Sequence, residues 1–352
     1  MLNGENAEII VKIDVSNAFN STARDIMLQK VKTSIPALYP FFYQCYAKER
    51  YLCFGDEIII SKTGCQQGDP AGPGLFSLVI NDSIKSLKSK LNVWYLDDGT
   101  LGGIAEIVLS DVEKIIEEFD NLGLSLNSAK CEIFFNKSVS DIRKDEIMKK
   151  LYRSLPGIKI TTKENFTLLG APITDEAVVP VLTSKYKILQ SFLEKVSKLN
   201  THMAFFLIKN CLWIPKLMYL LRCSPMFKFK DILHSFDDSI KSSLESILNI
   251  HFSSENWQEC TLPVKFGGLG IRTTTDICLP AFISSSYSTL NLVGTILCQS
   301  SIDFEVSCLE EAISTWRELC PDNDLPACQS IQKNWDLLFW IALNVLQKKL
   351  DF

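Results

Sequence analysis

Apolar residues in the first half of the chain fall both in short β-rich runs and at helical spacing. Residues 8–15, EIIVKIDV, predict a strand that ends just after Asp14. Residues 22–33 and 36–48 have the spacing of helices, with Pro36 suited to the first turn of the second. Residues 51–54 and 57–61 flank Gly55-Asp56 and predict a hairpin. A loop rich in glycine and proline, 64–74, leads into a helix over 74–90. Residues 93–96 and 100–102 predict a second hairpin, turning at Asp97-Asp98-Gly99. A helix over 106–122 is closed by Gly123. Residues 131–135 and 166–169 look strand-like. From about 176 onward the pattern is helical, with expected breaks at Pro215, Pro225, Pro263, the glycines of 267–270, and Pro280. Strands mixed with helices, then helices alone, predict an α+β fold with a helical C-terminal half. The expected divisions are 1–175, 176–250 and 251–352.

Composition narrows the class. Hydrophobic residues are 47% and charged residues 22% of 352, which excludes a disordered chain. The net charge of −5 argues against a protein whose whole surface is built for nucleic acid. Its distribution changes that picture. Residues 301–352 carry nine acidic and four basic side chains, and 1–300 balance. Within the balanced part, 185–230 hold nine Lys or Arg and one acid, Glu194. That stripe can meet a phosphate backbone although the global sum cannot.

Twelve cysteines contain no C-x-x-C pair, and His202, His234 and His251 lack zinc-finger spacing from them. Reduced, mostly buried thiols in an intracellular protein are expected. The start, MLNGE, has no basic and apolar leader pattern. The apolar stretch 203–221 is interrupted by Lys209, Asn210, Pro215 and Lys216, and 335–346 is too short to span a bilayer, so no membrane contact is expected.

Three segments carry candidate chemistry. A carboxylate at a strand end, such as Asp14, can be a metal ligand, but taken alone is more often a helix cap or turn former. In Trp94-Tyr95-Leu96-Asp97-Asp98-Gly99, Asp-Gly is a common turn, but adjacent carboxylates repel unless a cation sits between them. Gly64 to Ser77, GCQQGDPAGPGLFS, is either a flexible loop or a shaped surface that a flat ligand approaches closely.

DVSNAF, QGDPAGPGLF and YLDD, in that order, resemble the palm of reverse transcriptases, best those of non-LTR retrotransposons. GLSLNSAKCE from Gly123, FTLLGAPI from Phe166 and LPVKFGGLGIR from Leu262 are similar to later segments of such proteins. The resemblance is strong over 8–173, weaker over 174–275, and absent over 276–352.

The resemblance implies a polymerase palm over 1–175, a thumb-like helical region over 176–250, and a helical region of unknown role over 251–352. It implies RNA-templated addition of deoxynucleotides to a DNA primer, with two Mg²⁺ ions for which Mn²⁺ substitutes. Asp14, Asp97 and Asp98 would be the catalytic carboxylates and metal ligands, with the Val15 carbonyl a further ligand. Phe19 would exclude the ribose 2′-hydroxyl, or else is core packing. Gln67 and Gly68 would face the nucleotide, and Lys130 the departing pyrophosphate, or else is a solvated lysine. Leu169-Gly170 would be the primer grip, or an ordinary turn. Lys185, Lys187, Lys195, Lys198, Lys209, Lys216 and Arg222 would track the duplex, or form a solvated face. The family's fingers precede the palm, and thirteen residues before Asp14 leave no room for them, so a truncated and impaired copy is expected. No endonuclease, zinc knuckle or RNase H pattern is evident. The rival reading is a silent, element-derived protein that binds RNA, DNA or a partner. An RNA-dependent RNA polymerase is a weaker third, because Phe19 stands where a polar contact is wanted.

Overall fold

A computed structural model describes residues 7–297 and 307–342. The chain divides into two compact units, 1–163 and 164–352. Of the acidic stretch 301–352, residues 301–306 and 343–352 lie outside the described residues.

The first unit is built on a five-stranded mixed sheet. Its elements run β1 (Ile9–Asp14), α1 (Ala18–Ser21), α2 (Arg24–Ser34), α3 (Tyr39–Tyr46), β2 (Arg50–Phe54), β3 (Glu57–Ser61), α4 (Gly72–Lys85), β4 (Leu91–Tyr95), β5 (Asp98–Gly103), α5 (Ala105–Asn121), β6 (Glu132–Phe135), α6 (Asp141–Ser154) and β7 (Lys159–Thr161). The strand order is β4-β5-β1-β6-β7, antiparallel throughout except for β6 with β7. β1 sits at the centre because Ile9, Val11 and Ile13 are buried and apolar. Lys12 and Asp14, one residue out of phase, keep partial exposure on the other face.

α5 covers the apolar face. Its buried positions Ala105, Val108, Leu109, Val112, Ile115 and Phe119 recur at helical spacing. Each large apolar side chain buried there contributes about 1.5–3 kcal/mol. A second cluster joins Met27, Leu28 and Val31 of α2 to Phe42 and Tyr46 of α3 and Leu75 and Val79 of α4. The β2–β3 hairpin is a separate two-stranded sheet, exposed on both faces.

In the second unit, β8 (Thr167–Leu168) and β9 (Ala171–Pro172) form a minimal hairpin. Beyond them the described chain is helical: α7 (Asp175–Val196), α8 (Thr201–Leu207), α9 (Ile214–Cys223), α10 (Lys230–Leu248), α11 (Ser254–Thr261), α12 (Thr274–Leu297), α13 (Ser307–Leu319) and α14 (Gln332–Ala342). One core runs from Val178 to Trp335. The break expected at Pro280 does not occur, and α12 passes through it. Proline removes one helical hydrogen bond, but the flanking Ile277, Leu279, Ala281, Phe282 and Ile283 are all buried, and that packing holds the helix together. At Pro215 the expected break is present: Trp213 is not helical, and Pro215 lies in the first turn of the new helix α9.

Thr201–Cys223, helical on either side of a non-helical Trp213 and with a π turn at Ile208–Leu212, is long and apolar enough by length and composition to cross a membrane. Its buried residues Ala204, Ile208, Trp213, Ile214, Leu217, Leu220 and Leu221 belong to the core of the second unit.

Candidate active site

The end of β1 is clamped from one side. The Asp14 carbonyl accepts a hydrogen bond from the Asn127 amide at 2.8 Å, and the Ser16 amide donates to the Ser125 carbonyl at 2.8 Å. Between them Val15, buried, bridges to Leu126. The Asp14 amide donates to the Cys131 sulfur at 3.5 Å. Burial pushes the Cys131 thiol above its ordinary range, so it stays neutral beside the carboxylate.

On the other side, β1 pairs with β5 so that Asp14 lies opposite Asp98. Directly opposed residues on antiparallel strands share a face, with Cβ atoms about 4.5–5.5 Å apart. The hairpin differs from the sequence expectation. Tyr95 pairs with Asp98, so the two-residue turn is Leu96-Asp97, and Asp98 and Gly99 are strand residues. Leu96 takes the left-handed conformation with φ +57°. Gly99 pairs with Trp94, and a Cβ on it would lie 2.6 Å from the indole ring. The glycine therefore admits a tryptophan across the strands rather than making the turn.

The charges at this strand end are unbalanced. Loss of hydration at the hairpin raises the Asp98 carboxyl above its ordinary range, and the negative charges of Asp97 and Asp14 raise it further. Lys12 and Lys130 oppose the shift. Lys12 is already engaged with Glu132 at 2.6 Å. Lys130 extends into solvent with its Nζ 4.0 Å from Asp14 Oδ2. Among the described residues no three His, Cys, Asp or Glu side chains form a ready-made metal cage. Magnesium does not need one, since it takes one or two carboxylates and completes its shell with substrate oxygens and water. Repelling carboxylates at the end of paired strands fit such an ion.

Phe19 sits on α1, after Asn17 turns the chain with φ 44°. It is half-buried, its ring centroid 4.9 Å from that of Phe76. Its carbonyl accepts the Cys65 amide at 2.7 Å, which ties the loop after β3 to this turn. Gly64 is essential to the junction: φ is +65°, and a Cβ would lie 2.2 Å from the Phe19 carbonyl oxygen.

Three residues that the sequence did not single out hold this loop. The Arg24 guanidinium, buried and with its pKa lowered by desolvation, donates to the carbonyls of Gly64, Ser61 and Thr63 and to Ser61 Oγ. Tyr46 donates from its hydroxyl to Asp69 Oδ2 and accepts from the Gln66 amide at 3.3 Å. Asp69 Oδ1 accepts the Ala71 amide at 2.8 Å. Burial first, and then the bond to Asp69, push the Tyr46 phenol well above its ordinary range. The only sequence signal was an arginine on the apolar face of α2. Gln67 and Gly68 project from this frame, both exposed. Gly68 has φ +87° with no atom within 4 Å of a Cβ position, so its surface is open.

Residues 2–173 match the reverse transcriptase (RNA-dependent DNA polymerase) family. No curated protein matches the sequence. Among solved structures, the chain is similar to telomerase from Candida albicans, determined in complex with a TWJ fragment of telomeric RNA. The identity is 10% and the TM-score 0.37, over 87% of this chain and 49% of that one, so the chain spans about half the telomerase's length.

The reverse transcriptase match takes in the first ten residues of the second unit, including the Leu169-Gly170 turn. Both turn residues are left-handed, φ 49° and 79°. Leu169 is exposed, and its carbonyl accepts the Tyr219 hydroxyl at 2.8 Å. Beyond the reverse transcriptase match, the lysine stripe divides in two. Lys209 donates to the Leu269 carbonyl at 2.8 Å, Arg222 to Gln332 Oε1 at 3.0 Å, and Lys228 pairs with Glu311. Lys185, Lys187, Lys195, Lys198 and Lys216 are exposed with no ion pair among the described residues.

Proposed function

We propose that this chain carries a reverse transcriptase palm that adds deoxynucleotides to a DNA primer on an RNA template, slowly when acting alone. The observation that carries the reading is the register of β1 and β5, which sets Asp14 opposite Asp98, next to Asp97 at the turn, inside a segment that matches the family. Asp14, Asp97 and Asp98, with the Val15 carbonyl, are the groups to hold divalent ions. Magnesium or manganese bound there would activate the primer hydroxyl and neutralise the triphosphate.

The remaining roles belong to the chain's own groups. Lys130, 4.0 Å from Asp14, supplies positive charge to the departing pyrophosphate. Phe19, braced on Phe76 and tied to the loop through its carbonyl, presents an aromatic edge against a ribose 2′-hydroxyl. Gln67 and Gly68 offer the base pair an exposed surface on a rigid frame. The Leu169-Gly170 turn positions the primer end. Activity is slow because, among the described residues, the cations that act on Asp98 are Lys12 and Lys130, and Lys12 is already paired.

A second reading, nucleic-acid binding without turnover, is favoured by Lys185, Lys187, Lys195, Lys198 and Lys216, which have no ion pair among the described residues. The retroelement origin belongs to either reading and rests on the resemblance to non-LTR sequences. Primer extension on an RNA template with Mn²⁺ separates them. Weak, deoxynucleotide-dependent extension that Asp98→Asn abolishes, with salt-sensitive RNA binding unchanged, supports the polymerase. No extension by the unsubstituted chain, with the same binding, leaves the second reading standing.

A further inference from the structure

α7, the π turn, α9 and α10 enclose a cavity of about 190 Å³ within the second unit. Ile188, Phe192, Leu217 and Phe236 are among its apolar walls, and Lys185 and Lys216 complete the lining. Among the described residues no acidic side chain lines it. Both lysines are exposed, so the cavity opens toward solvent where its charge is concentrated. Lys185, Ile188 and Phe192 follow one another at helical spacing on one side of α7.

Two features together define what fits. An apolar cavity of roughly 150 Å³ accepts benzene, and this one is larger. Two lysines with no acidic partner among the described residues ask for an anion. We propose that the cavity binds a small amphipathic anion, with a hydrocarbon ring or short chain inside and a carboxylate or phosphate paired with Lys185 and Lys216. A nucleotide satisfies the charge requirement through its phosphate, but its base does not suit the interior. The edge of the base would lose water against Ile188, Phe192, Leu217 and Phe236, which offer no hydrogen bond, at about 1–3 kcal/mol for each group left unpaired. A hydrocarbon has no such edge. The site is independent of the polymerase reading.

The test is calorimetric titration of the full chain with three probes: octanoate, 1-octanol and thymidine monophosphate. One octanoate should bind per chain, about ten-fold more tightly than octanol, because only the anion meets the lysines. Lys185→Gln and Lys216→Gln should each weaken octanoate several-fold while leaving octanol unchanged. Ile188→Trp, at a half-exposed wall position, should weaken both by filling the cavity. The lysine variants lie on the surface, so thermal melts matching the unsubstituted chain are expected, and they carry the test even where Ile188→Trp fails to fold. Equal binding of octanoate and octanol, or lysine variants with undiminished octanoate binding, would overturn the pairing. Thymidine monophosphate bound more tightly than octanoate would overturn the hydrocarbon assignment, and no binding of octanoate would overturn the site.

Discussion

Two hairpin turns in different units share an unusual feature. Among the described residues, four that are not glycine have positive φ, and two of them are asparagines, which tolerate it. The other two are Leu96 and Leu169, each at the first position of a two-residue turn. A leucine held there costs about 1–2 kcal/mol. The surroundings differ. Leu96 is followed by Asp97 and is built into a five-stranded sheet, so the strain is held by strand pairs on both sides of β5. Leu169 is followed by left-handed Gly170 in a hairpin of two pairs, and its carbonyl is held by Tyr219. Strain retained at two separate turns, each maintained by outside contacts, points to positions where local geometry matters more than stability.

The largest effect should come from the side chain that the first turn presents. Asp97→Ala should lower primer extension by at least about 10²–10³-fold, the scale of losing one group that stabilises transition-state charge. Gly170→Ala, at the second turn, should instead raise the primer concentration needed for half-maximal rate. If both changes act on the same kinetic parameter, the two turns do not have separate roles.

Next come the leucines. Leu96→Gly and Leu169→Gly should each raise stability by up to about 1 kcal/mol, since glycine removes the left-handed penalty but adds unfolded-chain entropy. Denaturant melts measure this. Leu96→Gly should reduce extension despite the gain, because Asp97 loses its fixed placement. A fully active Leu96→Gly would show that the strain serves no purpose.

The smallest effect concerns charge. The folded Asp98 carboxyl is raised above its unfolded value, so the folded state holds its proton to higher pH than the unfolded chain does. Stability from this group is therefore full at low pH and declines as pH rises through the carboxylate range. Asp98→Asn should raise the melting temperature modestly at pH 7, and the difference should vanish on acidification below that range. Divalent ions should close the same gap at neutral pH by stabilising the unsubstituted protein. A melting temperature lowered by Asp98→Asn at pH 7 would mean that the carboxylate is held by contacts rather than repelled.

Much of the site was legible because it is local in sequence. The strand ending at Asp14, the hairpin carrying Asp97 and Asp98, and the glycine loop at 64–74 each announce themselves over a few residues. The error at the hairpin is instructive. Asp-Gly is a strong turn signal, but Gly99 answers to Trp94 across the strand pair, a contact that no linear reading displays. The same holds for Arg24 and Tyr46, whose bonds reach loop residues 20 to 40 positions away. α6 and β7 were not anticipated, because α6 is dominated by charged residues and buries only Ile147, Met148 and Leu151. The lysine stripe read as one feature, yet its members differ, since Lys209, Arg222 and Lys228 are occupied by partners distant in sequence.

The central claim is that Asp14 and the Asp97-Asp98 turn hold divalent ions that a deoxynucleoside triphosphate completes. Electron paramagnetic resonance of Mn²⁺ titrated into the full chain, with and without a deoxynucleoside triphosphate, measures this directly, whatever the turnover rate. The account predicts saturable Mn²⁺ binding that tightens when the triphosphate is added and is lost in Asp14→Asn. Mn²⁺ binding that Asp14→Asn leaves unchanged, or that the triphosphate does not tighten, would contradict it.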